Sequence, residues 1–223
     1  MAIIELAPNA LIDKDYYTTL TGESVSDYSI NSSEEFRLYY SINFVSSMFE
    51  YFCKRNLLAR DYSFDAVDDE YNPKYTIFSG NGKNTLWLPT YPINSVTTLI
   101  IEDVPIPQAT NYNDTNGFFI DPAVGKILYE GCFPCGYRDN IKIAWNGGYE
   151  EDTVELESLK FLCFEMVKTV LMNIQNNNEY YRREQIGTYS YERFTPSELD
   201  KYKGMNPMVF NMLSTKFKKV VLP

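Results

Sequence analysis

Residues 85–106 read TLWLPTYPINSVTTLIIEDVPI, residues 117–131 read GFFIDPAVGKILYEG, and residues 139–170 read DNIKIAWNGGYEEDTVELESLKFLCFEMVKTV. Leu86-Trp87-Leu88 predicts a short strand that ends at Pro89, where a ladder can spare a donor. Val96 to Glu102 predicts the next strand. Phe118-Phe119-Ile120 and Lys126-Ile127-Leu128-Tyr129 flank Asp121-Pro122-Ala123-Val124-Gly125 as a hairpin. Ile141, Ile143 and Trp145 alternate with Lys142 and Ala144, the period of a half-buried strand. Gly147-Gly148-Tyr149 then closes the sheet, and a long amphipathic helix follows from about Thr153 to Asn176, with Asp152 and Glu155 placed for a capping box. Its expected buried stripe is Leu159, Cys163, Met166, Val167, Val170 and Ile174. The order is that of a small antiparallel β unit feeding a helix.

A second long helix is predicted upstream, from about Ser33 to Asn56. Ser32 and Glu35 suit a capping box, and Phe36, Tyr40, Phe44, Val45, Met48, Phe49 and Phe52 recur at helical spacing. Lys54 and Arg55 fall in its expected last turn, where cations favour the dipole. Leu11 to Leu20 reads as a short helix stopped at Thr21-Gly22, and a strand is expected near Tyr75 to Phe78. Residues 179–194 are polar, Tyr-rich and loop-like. Thr195-Pro196-Ser197-Glu198 carries strong helix-start signals, and a last helix from about Pro207 carries Val209, Phe210, Leu213 and Phe217. The fold class expected is α+β: a long-helix core, an inserted small antiparallel β unit at about 75–149, and a C-terminal helical arm. The expected segments are an N-terminal extension 1–31, an α+β domain 32–178, and a C-terminal docking arm 179–223.

Composition narrows the function. The 223 residues carry 30 acids against 20 bases, a net charge of −10, so gripping duplex DNA through phosphates is not expected. There are no histidines, which removes Ser-His-Asp and Cys-His systems and His-containing zinc sites. The 19 Tyr and 14 Phe suit either protein contacts or half-buried strand positions. No apolar run is long enough to span a bilayer, and residues 1–8 lack the regions of a signal peptide, so folding in a cytosol is expected.

No constellation points firmly to chemistry. Cys132-Phe133-Pro134-Cys135 could be a redox pair or half a zinc site, but the other half would need Cys53 and Cys163, which fall inside predicted helices. Asp65, Asp68, Asp69 and Glu70 do not have EF-hand spacing, and Glu150, Glu151, Asp152, Glu155 and Glu157 are placed as a helix start would favour. Gly80-Asn81-Gly82-Lys83 lacks Walker spacing and reads as a turn. No catalytic residue, cofactor or metal is expected.

Taken in order, Tyr51-Phe52-Cys53-Lys54-Arg55-Asn56, Arg60-Asp61-Tyr62, Leu88-Pro89 with Pro92-Ile93-Asn94-Ser95-Val96, Gly125-Lys126-Ile127, Trp145-Asn146-Gly147-Gly148-Tyr149, and Glu184-Gln185-Ile186-Gly187-Thr188-Tyr189-Ser190-Tyr191 resemble the head–tail connector, or head-completion adaptor, proteins of tailed bacteriophages. The resemblance spans roughly 42–194; the N-terminal residues, the loop 65–83 and the tail from Thr195 are longer than in compact members. It implies a structural virion protein, not an enzyme, assembled in the host cytoplasm and located in the neck. Such proteins form a homo-oligomeric ring, usually of twelve copies, beneath the portal protein; the ring extends the DNA channel and receives a downstream neck or stopper protein. Genomic DNA would pass through without specific binding, and no membrane is involved. Twelve copies would carry roughly −120 charges, enough to repel DNA phosphates if acids line the bore. The candidate portal and neighbour contacts are Arg182, Arg183, Ile186, Tyr189, Tyr191, Phe194, Phe210 and Phe217. The alternatives are a stopper or tail-completion ring protein, and a small metal-dependent hydrolase using Asp65, Asp68 and Asp69 or the Glu150 cluster.

Overall fold

Ser32 starts the first long helix. Its backbone is extended, and its Oγ accepts from the Glu35 amide at 3.0 Å, satisfying one of the orphan donors of the first turn. In the computed structural model, which describes residues 5–24, 28, 32–64, 73–110, 116–135, 139–175, 183–186, 189–192 and 205–218, the chain forms two compact units. One comprises Met1–Lys54 with Val154–Pro223, the other Arg55–Thr153. The β unit is thus inserted between two helices of one helical unit.

The helical unit contains α1 (Lys14–Thr21), α2 (Ser33–Cys53), α4 (Val154–Gln175), α5 (Pro207–Met212), which runs on as a π-turn Leu213–Phe217, and the paired strands Arg183–Ile186 and Tyr189–Glu192; α3 (Pro73–Thr76) belongs to the other unit. The buried seam of α2 is Leu38, Ile42, Val45, Phe49 and Cys53. Of the stripe read from the sequence, Val45 and Phe49 lie in this seam, Phe36, Met48 and Phe52 are half-buried, and Tyr40 and Phe44 depart from it. Tyr40 and Phe44 are about half exposed and stack on each other, with ring centroids 6.5 Å apart. Apolar residues stand on more than one face of this helix, and periodicity alone merged them; the face of Leu38, Ile42, Val45 and Phe49 is the one that packs. The helix also stops earlier than expected. Lys54 turns left-handed (φ 57°) and donates its amide to the Glu50 carbonyl, so Arg55 lies beyond the last turn.

In α4 the expected Leu159, Cys163, Met166 and Val167 are buried, with Leu156, but Ile174 is exposed. Asp152 is not the cap: it is left-handed (φ 65°), and the helix begins after Thr153, whose Oγ1 donates to the Glu150 carbonyl at 2.8 Å. The two long helices run antiparallel. Ser46 Oγ and Cys163 Sγ lie 3.8 Å apart, while Glu34 and Arg37 near the start of α2 line one cleft of about 460 Å³ with Lys168 and Leu171 near the end of α4.

The residues before α1 are built onto α2. The Ala7 amide and Glu5 carbonyl both bond Asn43, Asn9 bonds Glu50, and the Leu11 amide bonds Ser46 Oγ. Helix α1 starts at Asp13, whose carboxylate accepts from the Tyr16 amide at 2.7 Å, and stops at left-handed Gly22. Lys14 donates to Glu35 at 3.0 Å, with both side chains mostly buried, and this bond raises the lysine pKa above its ordinary 10.5. A raised folded-state pKa gives stabilisation that is full below the ordinary value and is lost as pH climbs through the folded value. Lys14→Met should therefore lower the urea midpoint at neutral pH, and the difference from wild type should shrink above pH 10.5.

The inserted unit is built around β8 (Ile141–Gly147), whose buried positions alternate as Ile141, Ile143, Trp145 and Gly147. It pairs antiparallel with β4 (Ile93–Ile101) on one side, and with β1 (Arg60–Tyr62) and β2 (Ile77–Phe78) on the other; β5 (Val104–Ile106) extends β4 at the edge. The strand expected near Tyr75 is shorter, because Pro73–Thr76 forms a helical turn, α3. A second sheet of three strands holds β3 (Thr85–Trp87), β7 (Lys126–Tyr129) and β6 (Phe118–Asp121) in the order β3-β7-β6. The β6–β7 connection is the 3₁₀ turn Pro122–Val124 with left-handed Gly125 after it. Trp145 fixes the core: its ring stacks on Tyr62 at 4.5 Å, and its Nε1 donates to the Tyr75 carbonyl at 2.9 Å. The fold is α+β, as the sequence implies.

Candidate functional site

Strand β9 (Arg183–Ile186) pairs antiparallel with β10 (Tyr189–Glu192). The described part of the segment read as loop-like is therefore a strand pair in which Ile186 opposes Tyr189, and Glu184 opposes Tyr191. Candidate residues Arg183, Ile186, Tyr189 and Tyr191 all fall in these strands. Arg182 and Phe194 lie outside the described residues, as does the helix start read at Thr195–Glu198.

The other two candidates sit elsewhere. Asn206 caps α5 by accepting from the Met208 amide at 2.9 Å. Val209, Leu213 and Phe217 follow at steps of four and are all buried. Phe217 is 1% exposed, so its side chain belongs to the core of the helical unit and not to a free surface. Phe210 packs its ring on Phe52 at 5.3 Å, and the Lys218 ammonium lies 5.2 Å over that same Phe52 ring.

The base of the inserted unit is organised by Arg55, which the sequence reading places as a helix-end cation. It is 3% exposed. Its guanidinium lies 3.6 Å from the Tyr91 ring centroid and 5.2 Å from that of Tyr149; it donates to the Tyr91 carbonyl and, through Nη2, to the Tyr149 hydroxyl at 3.0 Å. The same three segments are tied by backbone bonds from the Tyr149 amide to Leu57, from the Ala59 amide to Tyr149, and from the Gly148 amide to Pro92. A fork of planar donors between two rings suits arginine and not lysine. The Trp145-Asn146-Gly147-Gly148-Tyr149 segment carried the signal, since its glycines mark close backbone approach, but nothing in the sequence pairs it with Arg55.

Chemical groups are sparse. Among the described residues no three His, Cys, Asp or Glu side chains converge as a metal site. Glu150, Glu151, Asp152, Glu155 and Glu157 are all exposed, and Asp65, Asp68, Asp69 and Glu70 lie outside the described residues. Cys53 and Cys163 are buried thiols in no disulfide, and burial pushes the Cys163 thiol up to about 12. Cys132 and Cys135 are exposed and free, on a loop held by Phe133, whose amide and carbonyl bond Lys83 and Gly82 at 2.8 Å each. Iodoacetamide on the native protein should label Cys132 and Cys135 and spare Cys53 and Cys163 until denaturant is added, as peptide mass mapping would show.

A solved chain from the neck of an empty GTA particle, computed with C6 symmetry, matches with a TM-score of 0.52 at 12% identity, over 100% of this chain and 96% of that one. A chain from the neck of a native GTA particle, computed with C12 symmetry, gives a TM-score of 0.48 at 12% identity, over 100% and 98%. No protein-family model and no curated protein matches the sequence. The first likeness shows that this chain shares the fold of a neck chain over its whole length.

Proposed function

We propose that this protein is a structural component of a phage neck, an adaptor ring beneath the portal that extends the DNA channel and joins the head to the neck or tail. The observation that carries the reading is the full-length likeness to a chain of a particle neck, which joins independently to the connector-like order of sequence segments. The ring has twelve copies in this reading, as the resemblance implies. DNA passes without specific binding, consistent with a net charge of −10. The protein assembles in the host cytoplasm and resides in the virion.

Docking on the portal is assigned to the hairpin Arg183–Ile186 with Tyr189–Glu192 and to the exposed part of the C-terminal helix. A two-stranded hairpin is marginal alone, so a partner surface would complete its stabilisation. Tyr189→Ala and Tyr191→Ala should leave the melting curve unchanged and reduce co-sedimentation with portal-bearing heads by roughly tenfold or more, the loss expected of an aromatic anchor at an interface. Equal co-sedimentation of variants and wild type would overturn the hairpin's role. Co-sedimentation only after a second neck protein is supplied would replace the adaptor reading with a stopper or tail-completion one.

A further inference from the structure

The sheet edges of the inserted unit are closed off. Strands β1 and β2 are edges of only three and two residues, and β5 carries Pro105 at its middle position. The Thr85 carbonyl of β3 accepts from the Asn81 side chain at 3.0 Å, and on the side of β6 away from β7, Phe118 is bonded through its amide to Pro107 and through its carbonyl to Ala109. Short edges, proline and occupied carbonyls all keep a second chain from adding a strand. The pair β9–β10 has none of these devices. Each strand has four residues, residues 183–192 include neither proline nor lysine, and among the described residues both outer edges of this two-stranded sheet are unpaired.

Two strands alone are marginal in water, so this pair gains most from further strands. Its two edges also differ. The register sets Arg183 of β9 opposite Glu192 of β10, so one edge strand begins at a cation and the other ends at an acid. When β10 of one copy lies antiparallel beside β9 of another, Glu192 falls opposite or diagonal to Arg183 at an offset of zero or two residues. An even offset also keeps each row on one face, so Glu192 never opposes Glu184.

We propose that β10 of one copy of this chain pairs, head to tail, with β9 of a second copy. Because the two edges differ, the contact is heterologous, and repeated around a ring it joins the strand pairs into one closed barrel with no edge left over. The edge pairing stands on β9 and β10; its closure rests on the neck reading. About twelve copies would bring about twenty-four strands, and at about 4.8 Å per strand the backbone would span roughly 37 Å, an open channel and not a filled core.

The test uses the full-length chain with Cys132→Ser and Cys135→Ser, in two preparations, one carrying Gln185→Cys and the other Ser190→Cys. These positions are opposite each other within a copy, so with one added cysteine per chain any 185–190 link joins two copies. A short bismaleimide, which also spans diagonal neighbours, is added to the mixture in concentrated solution and again after binding to portal-bearing heads. In at least one of these states the 185–190 dimer should exceed, by about tenfold, the homodimers that each preparation gives alone, because pairing raises the local thiol concentration. An excess in neither state overturns the pairing. A 190–190 or 185–185 product equal to the mixed one also overturns it, since like edges would then be meeting. Sedimentation with heads but no excess sinks the pairing alone; an excess in solution from a chain that never sediments with heads, even with the next neck protein added, sinks the neck reading alone.

Discussion

Arg55→Met should lower the stability of the inserted unit by about 3 kcal/mol, the sum expected from losing a desolvated cation–π contact and charged hydrogen bonds. The guanidinium is buried between Tyr91 and Tyr149 and donates to the Tyr91 carbonyl and the Tyr149 hydroxyl. Methionine fills similar length but donates nothing, so those acceptors lose their donor inside the protein. Arg55→Lys keeps the charge and loses the planar fork, and should fall between wild type and Met. The readout is local, because both tryptophans, Trp87 and Trp145, lie in the inserted unit. The urea midpoint followed by tryptophan emission should drop in both variants, in the order Arg, Lys, Met. An unchanged midpoint in Arg55→Met would show that Arg55 does not hold this base together.

Gly148→Ala should cost about as much, roughly 3–5 kcal/mol, by another route: backbone strain and overlap with atoms that cannot rotate away. Gly148 has φ 115°, and a Cβ there would run into the Leu58 carbonyl and the Ala59 amide. Those atoms are fixed, since Ala59 bonds Tyr149, and Gly148 itself bonds Pro92. The fluorescence midpoint should fall as for Arg55→Met, while Gly22→Ala, whose added Cβ meets nothing, should cost the helical unit, followed by far-UV circular dichroism, only the left-handed penalty of about 1 kcal/mol. Equal small losses in the two glycine variants would contradict the close approach at Leu58.

Strand β8 was legible because one face is buried, and Ile141, Ile143 and Trp145 announce it at a period of two. Gly22 likewise marks the end of α1, whereas its start at Asp13, two residues after the Leu11 read from the sequence, was missed. The buried face of α2 was legible only in part: Val45 and Phe49 were read, but Leu38 and Ile42 were not, because apolar residues stand on more than one face of this helix and only packing chooses. Arg55 was misread for a related reason: the helix ends at Lys54 by a left-handed turn in a non-glycine residue, which no composition signal announces. Segments that pair over long separations also escaped notice, such as residues 5–11 along α2 and Arg60–Tyr62 on β8. Of the candidate docking residues, the hairpin strands hold four, while Phe217 went into the core because its four-residue spacing from Leu213 serves packing as well as docking.

Imaging portal-bearing, emptied heads mixed with the purified protein by cryo-electron microscopy, with rotational averaging at the vertex, tests the central claim most directly. A new ring of this chain directly beneath the portal, with the hairpin at the portal contact, is the result expected. A vertex that stays bare both with this protein alone and after the next neck protein is added would contradict the neck reading itself.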